Sequence, residues 1–281
     1  MERNSRSVLN TAAAVNIATL PGGADASWII LVGLMALRVA ATFAMTPVFY
    51  AVPLPATVRV LLVMGLSVAL SSGITAPTKL PLEWSALLPA ALSELALGAV
   101  LGLGILLAFG AFSVAGQVLD AQLGYSMAQI VDPVTRRPVP ILTTAFAYIS
   151  VVVFFLVNGH HALLRGIAYS VDRFPVGAPW SIAHAVAPVL KQAAGLFSLG
   201  FALAAPVVFC ILLVEFALGV IGRNLPQMNM FAMGIPVKII VGLVALSLWF
   251  TGVGSVMTRV YASIATSWDE IFTSAPQRGV R

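Results

Sequence analysis

The sequence predicts an all-α membrane protein with about six apolar helices, several of them tilted or broken. Of its 281 residues, 60% are hydrophobic and 9% are charged, whereas about 25% of the residues of a soluble domain are charged. Runs without any charged residue, such as 95–119 and 192–214, reach the length of roughly 20 residues that a helix needs to cross a hydrocarbon core. Lipid or other apolar subunits must therefore cover much of this chain.

The apolar runs define the helices in order, and no connection between them is long enough for a soluble domain. The predicted helices are 28–50, 58–76, 86–119, 139–157, 183–222 and 236–264. The longest polar connection, 158–182, is rich in Gly and Pro and is predicted to be a loop. Because proline removes a backbone donor, several helices are expected to break at prolines, namely Pro47, Pro53, Pro55, Pro206, Pro226 and Pro236.

The two ends of the chain are more polar than its middle. Residues 1–26 are predicted to be a polar N-terminal extension, with a cleavable signal peptide as the alternative, because two arginines precede a moderately apolar run. Residues 27–265 are predicted to form a single helical membrane domain, followed by a polar C-terminal tail over 266–281.

Charged residues inside the apolar helices need partners, because a charge near the bilayer centre costs about 2.5 kcal/mol or more. Three uses stay open: the ion or proton site of a secondary transporter, pairing or pore lining in an assembly, and snorkelling from helix ends. The residues concerned are Arg38, Glu94, Lys191, Glu215 and Lys238.

Two glycines at GxxxG spacing, Gly98 and Gly102, indicate that another helix packs closely against theirs. The first of these glycines ends a short motif, Glu-x-Ala-Leu-Gly, which occurs at 94–98 and again at 215–219. This repetition indicates either two related hairpin units or a chance similarity between oily helices.

The sequence predicts no enzyme, cofactor or metal site. It contains no Gly-x-Ser-x-Gly motif, P-loop or Gly-rich dinucleotide motif. His160 and His161 are adjacent, so they point about 100° apart on a helix, and no Cys–His cluster accompanies them. A net charge of only +5, with scattered basic residues, excludes nucleic-acid binding.

The segment 122–140, "QLGYSMAQIVDPVTRRPVP", is unlike an ordinary surface loop. Tyr125 and Met127 are too apolar for a solvated connection, while Gln129 and Asp132 are too polar for lipid. A turn folded back into a protein-lined cavity suits both sets, and a helix-hairpin turn packed against neighbours is the alternative.

The motifs, taken in order, resemble the FliR family of the flagellar export apparatus and its injectisome counterpart SctT. The similar stretches are "LRVAATFAMTPVF" at 37–49, "PLPATVR" at 53–59, "ELALGAVLGLG" at 94–104, "AGQVLDAQLGYSMAQIVDP" at 115–133, "NGHHALL" at 158–164, "FPVG" at 174–177 and "ALGVIGRNLPQMNMFAMGIPVKI" at 217–239. The run after Gln122 is more similar to the flagellar branch.

The resemblance implies a non-enzymatic export-gate subunit of the bacterial inner membrane at the flagellar basal body. Such a subunit joins FliP-like, FliQ-like and FlhB-like subunits in a helical assembly, contacts membrane lipid, and passes unfolded protein cargo. In that family a loop plugs the channel, and the matching plug residues are Gly124, Tyr125, Ser126, Met127, Ala128, Gln129, Ile130, Asp132 and Pro133.

The resemblance also gives a reason for charges and prolines in the oily segment 215–238, which is expected to face subunits and water rather than only lipid. Its prolines are expected to mark a bend between two hairpin arms. The residues predicted to serve assembly and packing are Arg59, Glu94, Gly98, Gly102, Glu215, Arg223, Pro226, Gln227, Pro236 and Lys238.

Overall fold

The computed structural model describes residues 26–51, 54–74, 84–125, 130–131, 138–224 and 230–274, which are mostly helical. The helices are α1 (Ala26–Ala44), α2 (Val48–Ala51), α3 (Ala56–Ser72), α4 (Trp84–Leu123), α5 (Ile141–Leu156), α6 (Gly159–Arg173), α7 (Ala183–Asn224), α8 (Met230–Phe250) and α9 (Gly254–Ser274). The predicted all-α membrane class is confirmed. Two short strands, β1 (Ile130–Val131) and β2 (Pro138–Val139), pair antiparallel between α4 and α5.

Four helices of the described residues, α1, α4, α7 and α8, are long and apolar enough to cross a membrane. Helices α5 and α6 pass the same test only as a pair bent by 69°. Helix α3 is apolar but shorter. Residues of the α7 and α8 spans are mostly not buried within the chain, so much of their apolar surface faces outward.

Helix α4 forms the centre of the fold. It packs against α1, α5, α7 and α9, and its inward side chains Leu101, Phe112 and Leu119 are fully buried. The helix is apolar on all its faces, so it lacks the one-sided apolar stripe of a surface helix, and its exposed side chains Leu88, Leu92 and Leu95 leave apolar surface near its start. The other spans are arranged about it.

The predicted sixth helix, 236–264, is wrong, because the chain turns at residues 251–253 and continues as a separate helix, α9. Helix α9 also runs past residue 265, the predicted domain end, as far as Ser274. Most of its polar residues, such as Thr258, Arg259 and Asp269, are exposed, while Trp268 and Phe272 are buried. An amphipathic helix therefore occupies the first part of the predicted polar tail.

The predicted loop 158–182 is wrong in its first half, which forms helix α6. Leu163, Ile167 and Ser170 are buried at helical spacing, and the opposite face is polar and exposed. Only a short Gly- and Pro-containing connection, 174–182, separates α6 from α7.

Prolines end fewer helices than predicted. Pro47 lies between α1 and α2, and Pro55 directly precedes α3. By contrast, Pro206 lies inside α7 and Pro236 inside α8, so the predicted breaks there are wrong. Long apolar helices tolerate an internal proline because neighbouring groups and local adjustments satisfy the freed backbone. Pro53 and Pro226 lie outside the described residues.

Candidate functional site

A buried ion pair joins α1 to α4. The Arg38 Nε donates to Glu94 Oε2 at 2.6 Å, and Nη2 donates to Glu94 Oε1 at 3.0 Å. Both side chains are 1% exposed. This is the two-bond geometry in which arginine recognises a carboxylate most strongly. The snorkelling interpretation is therefore wrong for Arg38 and Glu94.

The remaining hydrogen-bonding groups of this pair also find partners within the chain. Arg38 Nη1 donates to Ser170 Oγ at 3.1 Å, and Nη2 donates to the Phe174 carbonyl at 2.9 Å. The Gly177 amide donates to Glu94 Oε1 at 2.9 Å. A buried pair satisfied in this way ties α1, α4, α6 and the following loop together. It also leaves little bonding capacity for a transported ion.

Ser93, next to Glu94, holds the same loop from a second position. Its hydroxyl donates to the Ala178 carbonyl at 3.0 Å and accepts from the Trp180 amide at 2.9 Å. Gly177, directly before these two contacts, has a φ of +82°, a left-handed conformation that favours glycine. The "FPVG" stretch is thus the loop that closes over the buried ion pair.

The glycines of α4 each face a close neighbour. A Cβ at Gly98 would overlap the Arg38 carbonyl oxygen, and one at Gly102 would lie 2.7 Å from the Thr42 carbonyl oxygen. Further along, Gly110 faces Leu196 of α7 and Gly116 faces Thr143 of α5. The small residues therefore let three different helices approach the central one.

A second ion pair, Glu215 with Lys238, joins α7 to α8 on the outside of the molecule. The Lys238 ammonium donates to Glu215 Oε1. The Lys238 side chain is 26% exposed and the Glu215 side chain 38% exposed. The pair lines an open cavity of about 500 Å³ together with Gly219, Gly222 and Gly234. Charge and small residues thus occupy one concave site.

Large apolar side chains are exposed on the same two helices. They include Phe209, Phe216, Ile240, Val244 and Leu248. So many exposed large apolar side chains on two neighbouring helices indicate a membrane or protein contact. The Glu215–Lys238 ion pair therefore lies within an apolar surface that lipid or another subunit must cover.

The other predicted assembly residues are spread over the fold. Arg223 lies exposed in the last turn of α7, close to the end of the described part of that helix. Pro236 lies within α8, whereas Pro226 and Gln227 fall outside the described residues. Arg59 lies on α3 beside a separate cavity. The structure thus gathers Glu94, Gly98 and Gly102 in the interior, and Glu215 and Lys238 on the surface.

Only the borders of the predicted plug are described. Helix α4 ends at Leu123, and Gly124 follows with φ of +77°. Tyr125 is half-buried against the core, and Ile130 pairs with Val139 across the two short strands. The plug residues Ser126, Met127, Ala128, Gln129, Asp132 and Pro133 lie outside the described residues.

Asp120 holds the two borders of this segment together. Its carboxylate accepts from the amides of Leu142 and Thr143 at 3.0 and 2.9 Å, and from the Thr143 hydroxyl at 2.8 Å. An acidic side chain at the N-terminus of α5 is favourable for the helix dipole. Sequence inspection missed Asp120, although it lies within the stretch that carries the family resemblance.

Other missed residues stabilise the packing of α9. Trp268 Nε1 donates to the Leu101 carbonyl at 3.1 Å, and the Tyr261 hydroxyl donates to the Ser150 carbonyl. Burial raises the pKa of the Tyr261 phenol, so it stays a donor. Glu270 of α9 contacts Lys191 of α7 at 2.5 Å. The alternation of apolar and polar residues at helical spacing across the predicted tail could have indicated this helix from the sequence.

The two histidines lie at the start of α6. Their ring centroids are 4.1 Å apart, and the His160 ring also packs against Phe155. In the described part of the chain, no group of three or more His, Cys, Asp or Glu side chains could hold a metal ion.

Comparison with known proteins decides the family. A family model described as bacterial export proteins, family 1, matches residues 29–264. The chain belongs to this family. It is 34% identical to the flagellar biosynthetic protein FliR of Bacillus subtilis (strain 168) over 236 residues, which cover 82% of this chain and 89% of that protein. The expected FliR/SctT resemblance is confirmed.

Two further relatives show how the export family extends. The FliR of Escherichia coli (strain K12) is 25% identical over 250 residues, covering 89% of this chain and 95% of that protein. The surface presentation of antigens protein SpaR of Shigella flexneri is 30% identical over 145 residues, covering 52% of this chain and 56% of that protein. The flagellar relatives thus match over more of the chain.

Proposed function

We propose that this chain is a structural subunit of the flagellar type III protein export apparatus. It forms part of a pore and gate in the bacterial inner membrane at the flagellar basal body, through which unfolded flagellar subunits pass. Membership of the export family and FliR relatives that match 82% and 89% of the chain support the flagellar assignment. The role is structural rather than enzymatic.

The observation that carries the assembly role is the surface around Glu215 and Lys238. An ion pair is expensive to keep against lipid tails, yet this one lies partly exposed among apolar side chains. A neighbouring subunit would cover the apolar residues and offer polar groups to the pair. We assign this surface to FliP-like and FliQ-like partners, with an FlhB-like subunit as a further partner of the assembly.

Arg223 is a further candidate for this assembly surface, and from the sequence alone we assign Pro226 and Gln227 to assembly as well. Arg223 is exposed, and no described acidic side chain pairs with it. We therefore expect Arg223→Leu to reduce recovery of the assembled particle and flagellar secretion. Unchanged motility and unchanged particle recovery in that variant would exclude Arg223 from the surface.

We further propose that the segment 123–139, with the plug residues named above between Gly124 and Pro133, closes the channel in the resting state. The left-handed Gly124 marks the start of this segment, and Asp120 ties that start to α5, where the segment ends. A loop whose two ends are fixed in this way can move without unfolding the helices that carry it. The plug is then a local gate within a rigid frame.

The plug can be tested separately from assembly. Gly124→Val strains a positive-φ position, so we expect assembled particles that leak small ions while the channel should be closed. Gly73→Val serves as the matched control, because Gly73 has an ordinary helical conformation at the end of α3. Equal ion leak from both variants, or none from Gly124→Val, would contradict the plug assignment.

The central test is isolation of the tagged chain from its native host in mild detergent. Mass measurement of the intact particle and peptide identification should reveal a large complex that contains FliP-like and FliQ-like chains. A lone chain or small homo-oligomer, free of those subunits in repeated preparations, would overturn the proposal. The alternative of a solute transporter would then have to be tested by substrate binding to the isolated chain.

A further inference from the structure

A cavity of about 400 Å³ lies between α1 and α3. Its lining includes Leu37, Ala40 and Phe43 of α1 and Val63 of α3. Among the described residues that line it, Arg59 alone carries a polar side chain. A concave, mostly apolar cavity of a few hundred cubic ångströms with one oriented polar group has the usual character of a small-ligand site.

Arg59 differs from the three cations of the apolar helices that have an acidic partner within the chain. Arg38, Lys191 and Lys238 each contact a glutamate. Arg59 is half-buried, its Nε is enclosed without a hydrogen-bond partner, and no described carboxylate pairs with it. A partly buried guanidinium without a counter-charge is unfavourable, so this cavity is complementary to an anion.

We propose that the cavity binds an acidic phospholipid. The lipid phosphate contacts the Arg59 guanidinium, and an acyl chain occupies the apolar part between α1 and α3. Arginine binds phosphate through paired hydrogen bonds, and basic pockets between membrane helices are suited to acidic headgroups. No catalytic step is involved.

The position of Arg59 on its helix agrees with this occupant. Arg59 lies in the first turn of α3, so its charge is at one end of an apolar helix, where a headgroup would lie. The neighbouring side chains Val60, Leu61 and Met64 are exposed and apolar, so the surface beside the cavity suits lipid tails. An acidic side chain of a neighbouring subunit is the competing occupant, and the test separates the two.

The test uses the full chain, purified in detergent and mixed with equal amounts of dioleoyl phosphatidylglycerol and dioleoyl phosphatidylethanolamine. Native mass spectrometry then counts the retained lipid molecules. Both lipids carry a phosphate, but the ethanolamine ammonium offsets the phosphate charge of the zwitterionic lipid and competes with Arg59 for it. We therefore expect the acidic lipid to be retained about tenfold more, which corresponds to the strength of one hydrogen bond to a charged group. Arg59→Gln should abolish the preference, and Arg59→Lys should keep part of it.

Two further variants keep the result interpretable. Ala40→Leu narrows the cavity but leaves the Arg59 charge, so this variant should also lose the lipid. If Arg59→Gln fails to fold, lipid retention by Ala40→Leu tests the proposal instead. Arg165→Gln removes an exposed arginine from α6 and should retain the wild-type preference. Thermal unfolding of every variant establishes that the compared proteins are folded.

Three results would overturn the proposal. One is retention of the acidic lipid by both Arg59→Gln and Ala40→Leu. Another is equally tight retention of glycerol phosphate, which would show that the anion binds without the acyl chain. The third is an assembled particle in which Arg59 contacts an acidic residue of another subunit and no lipid is retained at this cavity. These results are independent of whether the chain serves protein export.

Discussion

Two ion pairs in this molecule use a glutamate from the same local sequence, Glu-x-Ala-Leu-Gly, in opposite surroundings. Glu94 is 1% exposed and contacts Arg38 and the loop amide of Gly177. Glu215 is 38% exposed, and among the described residues its one hydrogen-bond partner is Lys238. The first pair closes the interior of the chain, and the second lies open on an apolar surface.

The glycine that follows each glutamate shows the same contrast. Gly98 lies against the backbone of α1, so close that a Cβ would overlap it. At Gly219 no described atom lies within 4 Å of the position of a Cβ. The shared motif therefore places an acid and a small residue on one face of a helix, and the surroundings decide whether that face is already covered.

Loss of Arg38 should have the largest effect on stability. Arg38→Leu leaves the Glu94 carboxylate buried without a partner, and removing one member of a buried pair typically costs about 3–5 kcal/mol. We expect little folded protein after purification and a much lower thermal midpoint. The double variant Arg38→Leu/Glu94→Leu should recover part of this loss, because it leaves no unpaired charge. Equal stability of wild type and Arg38→Leu would contradict the buried network.

Alanine substitutions at Gly98 and Gly219 should have opposite effects on stability, because Gly98 is packed in the interior and Gly219 faces open space. Gly98→Ala forces α1 and α4 apart and is expected to cost about 1–3 kcal/mol. Gly219→Ala meets open space and should stabilise the helix by up to about 1 kcal/mol. Thermal unfolding of the isolated chain measures both. A destabilised Gly219→Ala chain would mean that α7 is packed within the chain at this position.

The Gly219→Ala variant also tests the assembly surface. If a neighbouring subunit packs into the cavity beside Glu215, the added methyl group should lower recovery of the assembled particle while the isolated chain stays stable. Normal particle recovery would place the subunit contact elsewhere.

Reversal of the outer pair should alter assembly more than stability. Glu215→Lys/Lys238→Glu keeps an ion pair between α7 and α8, so the isolated chain should change by less than about 1 kcal/mol. A partner subunit whose own polar groups are complementary to Glu215 and Lys238 in their original positions should be lost from the purified particle. Wild-type recovery of all partners would show that this ion pair only joins α7 to α8 and does not contact another subunit. The same reversal at Arg38 and Glu94 should fail to fold, because Ser170 and Gly177 need the original donors and acceptors.

The smallest effect is expected for the third pair. Lys191 is 71% exposed where it contacts Glu270, so Lys191→Gln should change stability by less than about 0.5 kcal/mol. Both the thermal midpoint and particle recovery should match wild type. A large loss in either measurement would place Lys191 in a contact that the single chain does not contain.

The helical class and most spans were predictable because they depend on local composition. Predicted helices 86–119 and 183–222 correspond closely to α4 and α7. The boundary between α8 and α9 was missed, although Gly252 and Gly254 were available as a signal, because the apolar run continues across the turn. Helix α6 was missed because its mean hydropathy is too low for a criterion based on apolar length.

The sequence by itself determined that this chain belongs in a membrane, which residues are costly there, and which family it resembles, since each of these depends on residue type and order. Only the tertiary structure decided which charges meet. Arg38 and Glu94 are 56 positions apart, and no periodicity specifies such a distant partner. The fold brings them together and encloses them, while the same glutamate motif on α7 stays partly exposed although its Glu215 pairs with Lys238 of α8.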